Sequence, residues 1–375
     1  MKNIYILTVC SLVLRLFVQG LLPIYPVIIQ NTGAKVSQVG YFMAVMYVAS
    51  LLGTLCSGYI VPKKINPKTF LVFSIIPIGV MLWLVGMQKN YFSLLTITFG
   101  LSFFSAANIN TNAILTGHYS TKINLAKNFG WLGLSSILAT LLGGVIIGWS
   151  IDNLGMQTTF LLFAFIFIFF NSSILFAEKV YVQPVSQSLS ASFRFSKNFI
   201  LFICSSVLII LLIHVFKMSL SLEMKKAGYT LTDISLYSAY GTLMVLFVPQ
   251  LLGYLDKKVK AYTLLIYCYI TTVMAFLLLL TGLYTITIIL AIACISILAY
   301  ASRIPVMSLL YGWFNADTFP KAQTYYAATA WIAAIIGYLS VGQILERFGF
   351  KSALYFGVCT GVLALLVLKS IKNKY

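Results

Sequence analysis

Hydrophobic residues fill this chain in long unbroken stretches, separated by short polar intervals. A helix needs about 20 apolar residues to cross a bilayer. Stretches of that order fall at roughly 4–29, 38–61, 69–87, 92–117, 127–149 and 158–177, and again at 198–222, 232–255, 261–281, 284–311, 322–345 and 351–369. Each predicts a membrane-spanning helix. The longest polar interval, EKVYVQPVSQSLSASFRFSK at 178–197, reads as a linker. The expected fold is an all-α polytopic membrane protein of twelve transmembrane helices. They fall into an N-terminal six-helix bundle over 1–177, a cytoplasmic linker over 178–197 and a C-terminal six-helix bundle over 198–375.

Composition agrees with the pattern. Of 375 residues, 61% are hydrophobic and 9% charged, against about 45–50% and about 25% in soluble domains. There are too few polar side chains to cover a soluble surface. The 25 Lys and Arg against 7 Asp and Glu give a net charge of +18, which in a soluble protein would suggest nucleic acid. Here the cations form short runs between apolar segments and report topology instead. With the N-terminus inside, 16 fall on the cytoplasmic side and 6 on the other, leaving Arg15, Lys217 and Arg303 within spans. That asymmetry puts both termini in the cytoplasm. The Asn-, Ile- and Lys-rich composition suggests a bacterial cytoplasmic membrane. Lys2 and the run after it read as the first span rather than a signal peptide, because the run continues apolar to Ile29 with no small-residue cleavage site. Cys10, Cys56, Cys204, Cys268, Cys294 and Cys359 all lie in apolar segments without metal-binding spacing, so neither a disulfide framework nor a metal or other cofactor is expected.

The halves overlay on one another. At an offset of 195, Gly33 falls on Gly228, Ser37 on Thr232, Val39 on Ile234, Gly58 on Gly253, Tyr59 on Tyr254 and Lys63 on Lys258. Near the end of each half the offset becomes 194, matching Gly143 with Gly337, Gly148 with Gly342, Asp152 with Glu346 and Gly155 with Gly349. Glycines and charges in order at equivalent span ends exceed what two greasy sequences share by chance. Six spans per half give both halves the same orientation, the parallel-repeat plan. Ser37 and Thr232 are candidate N-caps of the second helix in each half.

Twelve spans, a 6+6 repeat and a cytoplasmic middle linker resemble the major facilitator superfamily. Gly58-Tyr-Ile-Val61-Pro62-Lys63-Lys64 sits where that superfamily carries a Gly followed by Asp and basic residues, between helices 2 and 3. The second copy, Gly253-Tyr-Leu-Asp256-Lys257-Lys258, keeps the acid that Val61 replaces in the first. Asn31-Thr32-Gly33 with Ser37-Gln38-Val39-Gly40 resembles the family's turn into helix 2. Ala139-Thr140-Leu-Leu-Gly143-Gly144 resembles its antiporter signature without the first Gly and the Pro. The resemblance implies an alternating-access transporter. It also makes Asp256 and Arg303 a candidate gating latch.

Polar residues inside spans are the candidate functional positions, because each is costly in lipid. Arg15 lies near the middle of span one, with Gln19 one turn on and no Asp or Glu in the interior of any span. Such a cation suits an anionic substrate group or a structural role among carbonyls, Asn side chains and water. Asn108 and Asn112 share a face of span four and suit hydroxyl, amide or carboxylate recognition, or interhelical hydrogen bonds. Asn128 with Trp131 on span five, and Tyr325 with Trp331 on span eleven, are further substrate-site candidates. His214, three residues before Lys217 on span seven, is a candidate proton carrier.

The leading expectation is a secondary transporter of a small organic solute, anionic or polyhydroxylated, as symporter or antiporter with protons or another coupling ion. Facilitated diffusion or anion exchange is the other mechanism. Efflux of drugs and lipophilic compounds is the alternative substrate reading, and a transport-inactive receptor or scaffold is the alternative outside the class. An enzyme is not expected: there is no intramembrane acid pair, no Ser-His-Asp set at workable spacing, and no phosphate-binding loop. The expected partners are the small-molecule substrate and membrane lipid, without nucleic acid, with the chain a monomer.

Overall fold

The computed structural model describes residues 2–120, 125–178, 196–255, 258–314 and 319–371. Most of the linker 178–197 therefore lies outside the described residues, as does Asp256. The helices of the first half are α1 (Lys2–Gly20), α2 (Tyr25–Gln30), α3 (Val36–Lys64), α4 (Pro67–Met87), α5 (Tyr91–His118), α6 (Leu125–Leu154) and α7 (Met156–Asn171). Those of the second are α8 (Lys197–Lys226), α9 (Leu231–Met244), α10 (Val248–Leu255), α11 (Ala261–Leu280), α12 (Thr285–Ser296), α13 (Arg303–Trp313) and α14 (Phe319–Lys369). A π-helical turn, Ile297–Ala301, joins α12 to α13.

Eleven described runs are long and apolar enough to cross a bilayer, and the last, Tyr325–Lys369, is 45 residues long. At about 1.5 Å per residue such a run is more than twice a hydrocarbon core of about 30 Å. It is two spans joined at Gly349, where φ is 79° and ψ −177°, which gives the expected twelve.

Prolines break three spans. Pro23 and Pro26 lie where α1 gives way to α2, and there the backbone bonds tighten, with Leu22 N–H on the Gln19 carbonyl and Ile24 N–H on Leu21. Pro249 has no N–H for the Val245 carbonyl and its ring crowds that group, so span eight splits into α9 and α10. Pro305 does the same to Ala301, the last residue of the π turn.

The repeat seen in sequence reappears in backbone conformation. Matched Gly33 and Gly228 have φ of 86° and 91°, and matched Gly155 and Gly349 have 78° and 79°. These left-handed turns, where a Cβ is strained, stand at equivalent interhelical corners. The repeat also holds in packing. Gly143 on α6 lies against the Leu16 carbonyl of α1, and Gly337 on α14 lies against the Leu211 carbonyl of α8; Leu16 and Leu211 are themselves 195 apart.

The chain forms two compact units. One comprises Met1–Ala34, Val45–Gln187 and Tyr229–Ala239, and the other Lys35–Ala44, Ser188–Gly228 and Tyr240–Tyr375. In the first, α1 packs on α6 and α4 packs on α5 and α7; in the second, α8 and α11 pack on α14.

Candidate functional site

The first unit carries a polar network inside its apolar packing. Its origin is a close helix crossing. A Cβ built on Gly20 would sit 2.5 Å from the Gly143 carbonyl carbon, and one on Gly143 would overlap the Leu16 carbonyl oxygen. Only glycines let the α1 and α6 backbones approach this far. Ser11, Arg15 and Gln19 recur every four residues along one face of α1, and the crossing sets that face against Ser135 and Ser136 of α6.

The guanidinium of Arg15 donates from Nε to Ser11 Oγ at 3.0 Å and from Nη1 to Ser136 Oγ at 3.3 Å. Ser136 Oγ donates to Gln19 Oε1 at 2.9 Å, and Ser135 Oγ to Ser11 Oγ at 3.3 Å. Arg15 lies 13 residues into the run formed by α1 and α2, about 20 Å along some 43 Å of helix, which is mid-depth. The arrangement holds a cation by neutral hydroxyls that both donate and accept. Arg15 and Gln19 were legible in sequence. The serines were not singled out, although Ser11, one turn before Arg15, was a usable signal.

The asparagines of α5 face other helices. Asn108, 3% exposed, donates to Ser74 Oγ of α4 at 2.7 Å. Asn112 donates to the Leu7 carbonyl of α1 at 3.0 Å, and its buried Oδ1 has no partner among the described residues. Asn110, not among the candidates, reaches Ser57 Oγ of α3 at 2.9 Å. Asn128 donates to Ser120 Oγ at 2.8 Å, while Trp131 on the same helix is exposed.

In the second unit, His214 of α8 is buried and its ring lies 5.0 Å from that of Tyr338 on α14. Gln19 is its counterpart 195 residues earlier. Lys217 is half-buried. Tyr325 is exposed and Trp331 half-buried. Neighbouring Tyr326 stacks on Phe202, with ring centroids 5.8 Å apart, and Phe202 meets Trp313 edge-on. Arg303 opens α13 directly after the π turn, is exposed, and makes no hydrogen bond or ion pair to another described residue. Its expected partner, Asp256, is outside the described residues, so the latch rests on sequence alone.

Among the described residues no three His, Cys, Asp or Glu side chains come together as a metal site. One cavity of about 590 Å³ is lined by Val9, Phe165, Phe169, Phe170 and Phe176. It carries none of the polar network and presents exposed phenylalanines suited to lipid tails.

The whole fold matches known transporters. A variant of the nucleoside transporter NupG superposes with a TM-score of 0.81 at 11% identity, covering 99% of this chain and 100% of that one. A POT family transporter in complex with a thioalcohol-conjugated peptide gives 0.78 at 12%, covering 99% and 95%. The human organic anion transporter MFSD10 gives 0.66 at 13%, covering 98% and 99%. At such identities the likeness is one of fold. No curated protein matches the sequence. The family model for the Major Facilitator Superfamily matches residues 7–311. With twelve spans, a parallel repeat and glycine-mediated crossings at matched places in both halves, this chain is a transporter rather than an enzyme, and it belongs to the Major Facilitator Superfamily.

Proposed function

We propose that this secondary transporter carries a small organic solute that is anionic or polyhydroxylated, and that the Arg15 network binds it. The observation that carries the reading is a guanidinium at mid-depth, held by Ser11 and Ser136 and continued by Gln19. A guanidinium binds carboxylate or phosphate through paired N–H groups, and the surrounding hydroxyls and amide fit a hydroxylated solute. Exposed Arg303, placed just after a π turn, is a second cation on the same theme in the other unit. Asn108 and Asn112 fix α5 against its neighbours and shape the wall rather than meet the solute. His214 is the coupling candidate. The 16-to-6 division of basic residues supports both termini inside, and the Asn-, Ile- and Lys-rich composition supports a bacterial cytoplasmic membrane.

The test is a thermal-shift screen of anionic, neutral and cationic solutes on the purified protein beside Arg15→Gln. A ligand that binds only the folded state raises the melting temperature by mass action. Anions that stabilise the wild type and not the variant uphold the reading and supply a substrate for proteoliposome flux. Equal binding by both makes Arg15 structural and favours efflux of neutral or lipophilic compounds.

A further inference from the structure

Residue spacing along span six leaves a hollow in an outward-facing aromatic row. Phe165, Phe169, Ser172 and Phe176 follow one another at intervals of four, three and four residues, so they share one face. The three rings are 65%, 75% and 74% exposed. Ser172 is the small member of the row and opens a 3₁₀ turn, Ser172–Phe176, that ends the span. It leaves a gap between Phe169 and Phe176, and Val9 of α1 supplies a wall from a second helix. The result is the groove of about 590 Å³, within the range of about 300–1,000 Å³ typical of small-molecule sites.

The polar groups at this end of the span are turned into the protein. Ser172 Oγ donates to the Ile168 carbonyl at 2.7 Å, and Asn171 Nδ2 donates to the Phe167 carbonyl at 3.0 Å. Ser173 Oγ lies 3.5 Å from Cys10 Sγ. What remains facing outward is hydrocarbon. A polar solute would lose its water there without gaining partners, whereas an acyl chain loses nothing.

A cation stands at the groove's end. Leu175 and Ala177 flank Phe176, and both their carbonyls accept from Lys68 Nζ of α4, the first at 2.9 Å. An ammonium carries three N–H groups, so one is left over. Glu178, next in the chain, turns its carboxylate to Asn3 Nδ2 at 3.0 Å rather than to Lys68. Val9 is seven residues into α1, about 10 Å from its start. The groove therefore lies in hydrocarbon close to the interface on the side of the termini. That side carries 16 of the 25 basic residues, and basic segments at a membrane surface attract anionic lipid.

We propose that the groove binds one acyl chain of an anionic phospholipid from the leaflet on the side of the termini, with Lys68 holding the headgroup phosphate. The chain fills the gap over Ser172, against Phe169, Phe176 and Val9. The phosphate accepts the remaining N–H of Lys68. Lipid merely coating the helices has no such cation at a fixed place and selects no headgroup. The site belongs to the first unit alone and is separate from the Arg15 network.

Tryptophan quenching by brominated lipid tests this. Trp83, Trp131, Trp149, Trp313 and Trp331 are replaced by phenylalanine, and a single reporter is then introduced. Phe169→Trp places it in the groove. Tyr267→Trp places it outside, six residues into α11 from the same side and 58% exposed in the wild type. Each chain is reconstituted in phosphatidylcholine with rising fractions of brominated phosphatidylglycerol, and in parallel with brominated phosphatidylcholine. Bromine quenches tryptophan on contact. One cation near a membrane surface contributes about 1 kcal/mol, a factor of about five. Phosphatidylglycerol is expected to occupy the Phe169→Trp site about fivefold more readily than phosphatidylcholine, with a ratio near one for Tyr267→Trp. Adding Lys68→Gln is expected to bring the Phe169→Trp ratio down to near one. Equal ratios at the two reporters overturn the proposal, because lipid coating the surface then explains the quenching. A preference that survives Lys68→Gln overturns it too, and so does weak quenching of Phe169→Trp by both lipids, which means that another occupant, such as a second copy of the chain, covers the groove. If the chain without native tryptophans fails to fold, native mass spectrometry of wild type and Lys68→Gln in phosphatidylglycerol decides. Wild type is expected to retain one more lipid than the variant, and equal retention overturns the site.

Discussion

Replacing Arg15 with glutamine separates ligand binding from stability, and the structure says by how much. The variant loses the Nε bond to Ser11 and the Nη1 bond to Ser136. Neither hydroxyl is orphaned, since Ser136 still donates to Gln19 and Ser11 still accepts from Ser135. The change also replaces an intramembrane charge with a neutral amide, which lowers a desolvation cost. The unliganded melting temperature is therefore expected to stay level or rise. Ligand binding behaves otherwise. A hydrogen bond to a charged group contributes about 1.5–3 kcal/mol, or about tenfold to a hundredfold in affinity. At a ligand concentration of about 100 times the wild-type Kd, the bound state gains about 2.7 kcal/mol of stability. The same concentration leaves about 1.4 kcal/mol after a tenfold loss and about 0.4 kcal/mol after a hundredfold loss. The assay is the melting shift of wild type, Arg15→Gln and Arg15→Lys with the strongest anion. Lysine keeps the charge but not the planar fork, so it should fall between the other two. A full ligand shift in Arg15→Gln would refute the reasoning.

Other expectations follow from packing and chemistry. Gly143→Ala forces a methyl against the Leu16 carbonyl and should destabilise the purified protein by about 1–3 kcal/mol, read as a fall in melting temperature. Asn108→Ala removes the 2.7 Å bond to Ser74 and should cost about 0.6–2 kcal/mol, the range of interhelical hydrogen bonds in membranes, with the ligand Kd unchanged. Hydrogen bonds from the Ser37 side chain and backbone hold the exposed Glu346 carboxyl below its ordinary value, and Lys35 and Arg347 add to this. A lowered folded-state pKa stabilises above the unfolded value of about 4.3 and is lost as pH falls through the folded one. Wild type should therefore lose melting temperature on acidification over that window, and Glu346→Gln should lack part of that loss. All six cysteines are free thiols, so reductant should leave the melting temperature where it is.

Much of this molecule was legible in its sequence because membrane insertion is decided locally. The free energy of placing a residue in hydrocarbon depends on that residue, so apolar stretches mark spans and basic runs mark one side. The repeat was legible for a related reason. Gly33 with Gly228, and Gly155 with Gly349, match in sequence because each pair stands at a left-handed corner that only glycine takes without strain. Arg15 stood out because a cation at mid-span is expensive.

What the sequence could not determine is which face of each helix meets which neighbour. The spans are apolar on nearly all sides, so hydropathy leaves their rotation and register open. Only the tertiary structure set Ser136 beside Arg15 across 121 positions, Ser74 beside Asn108, and Asp152 beside Thr232. Glycine contacts made those choices: where Gly143 admits the Leu16 carbonyl or Gly148 admits Ser235, two backbones lock at one crossing point. The polar partners follow from that geometry. The sequence alone determined that the chain crosses the membrane twelve times in two like halves, and where its expensive residues lie. The fold decided what those residues touch, because contact between helices depends on shape at the crossing and not on the hydrophobicity of either strip.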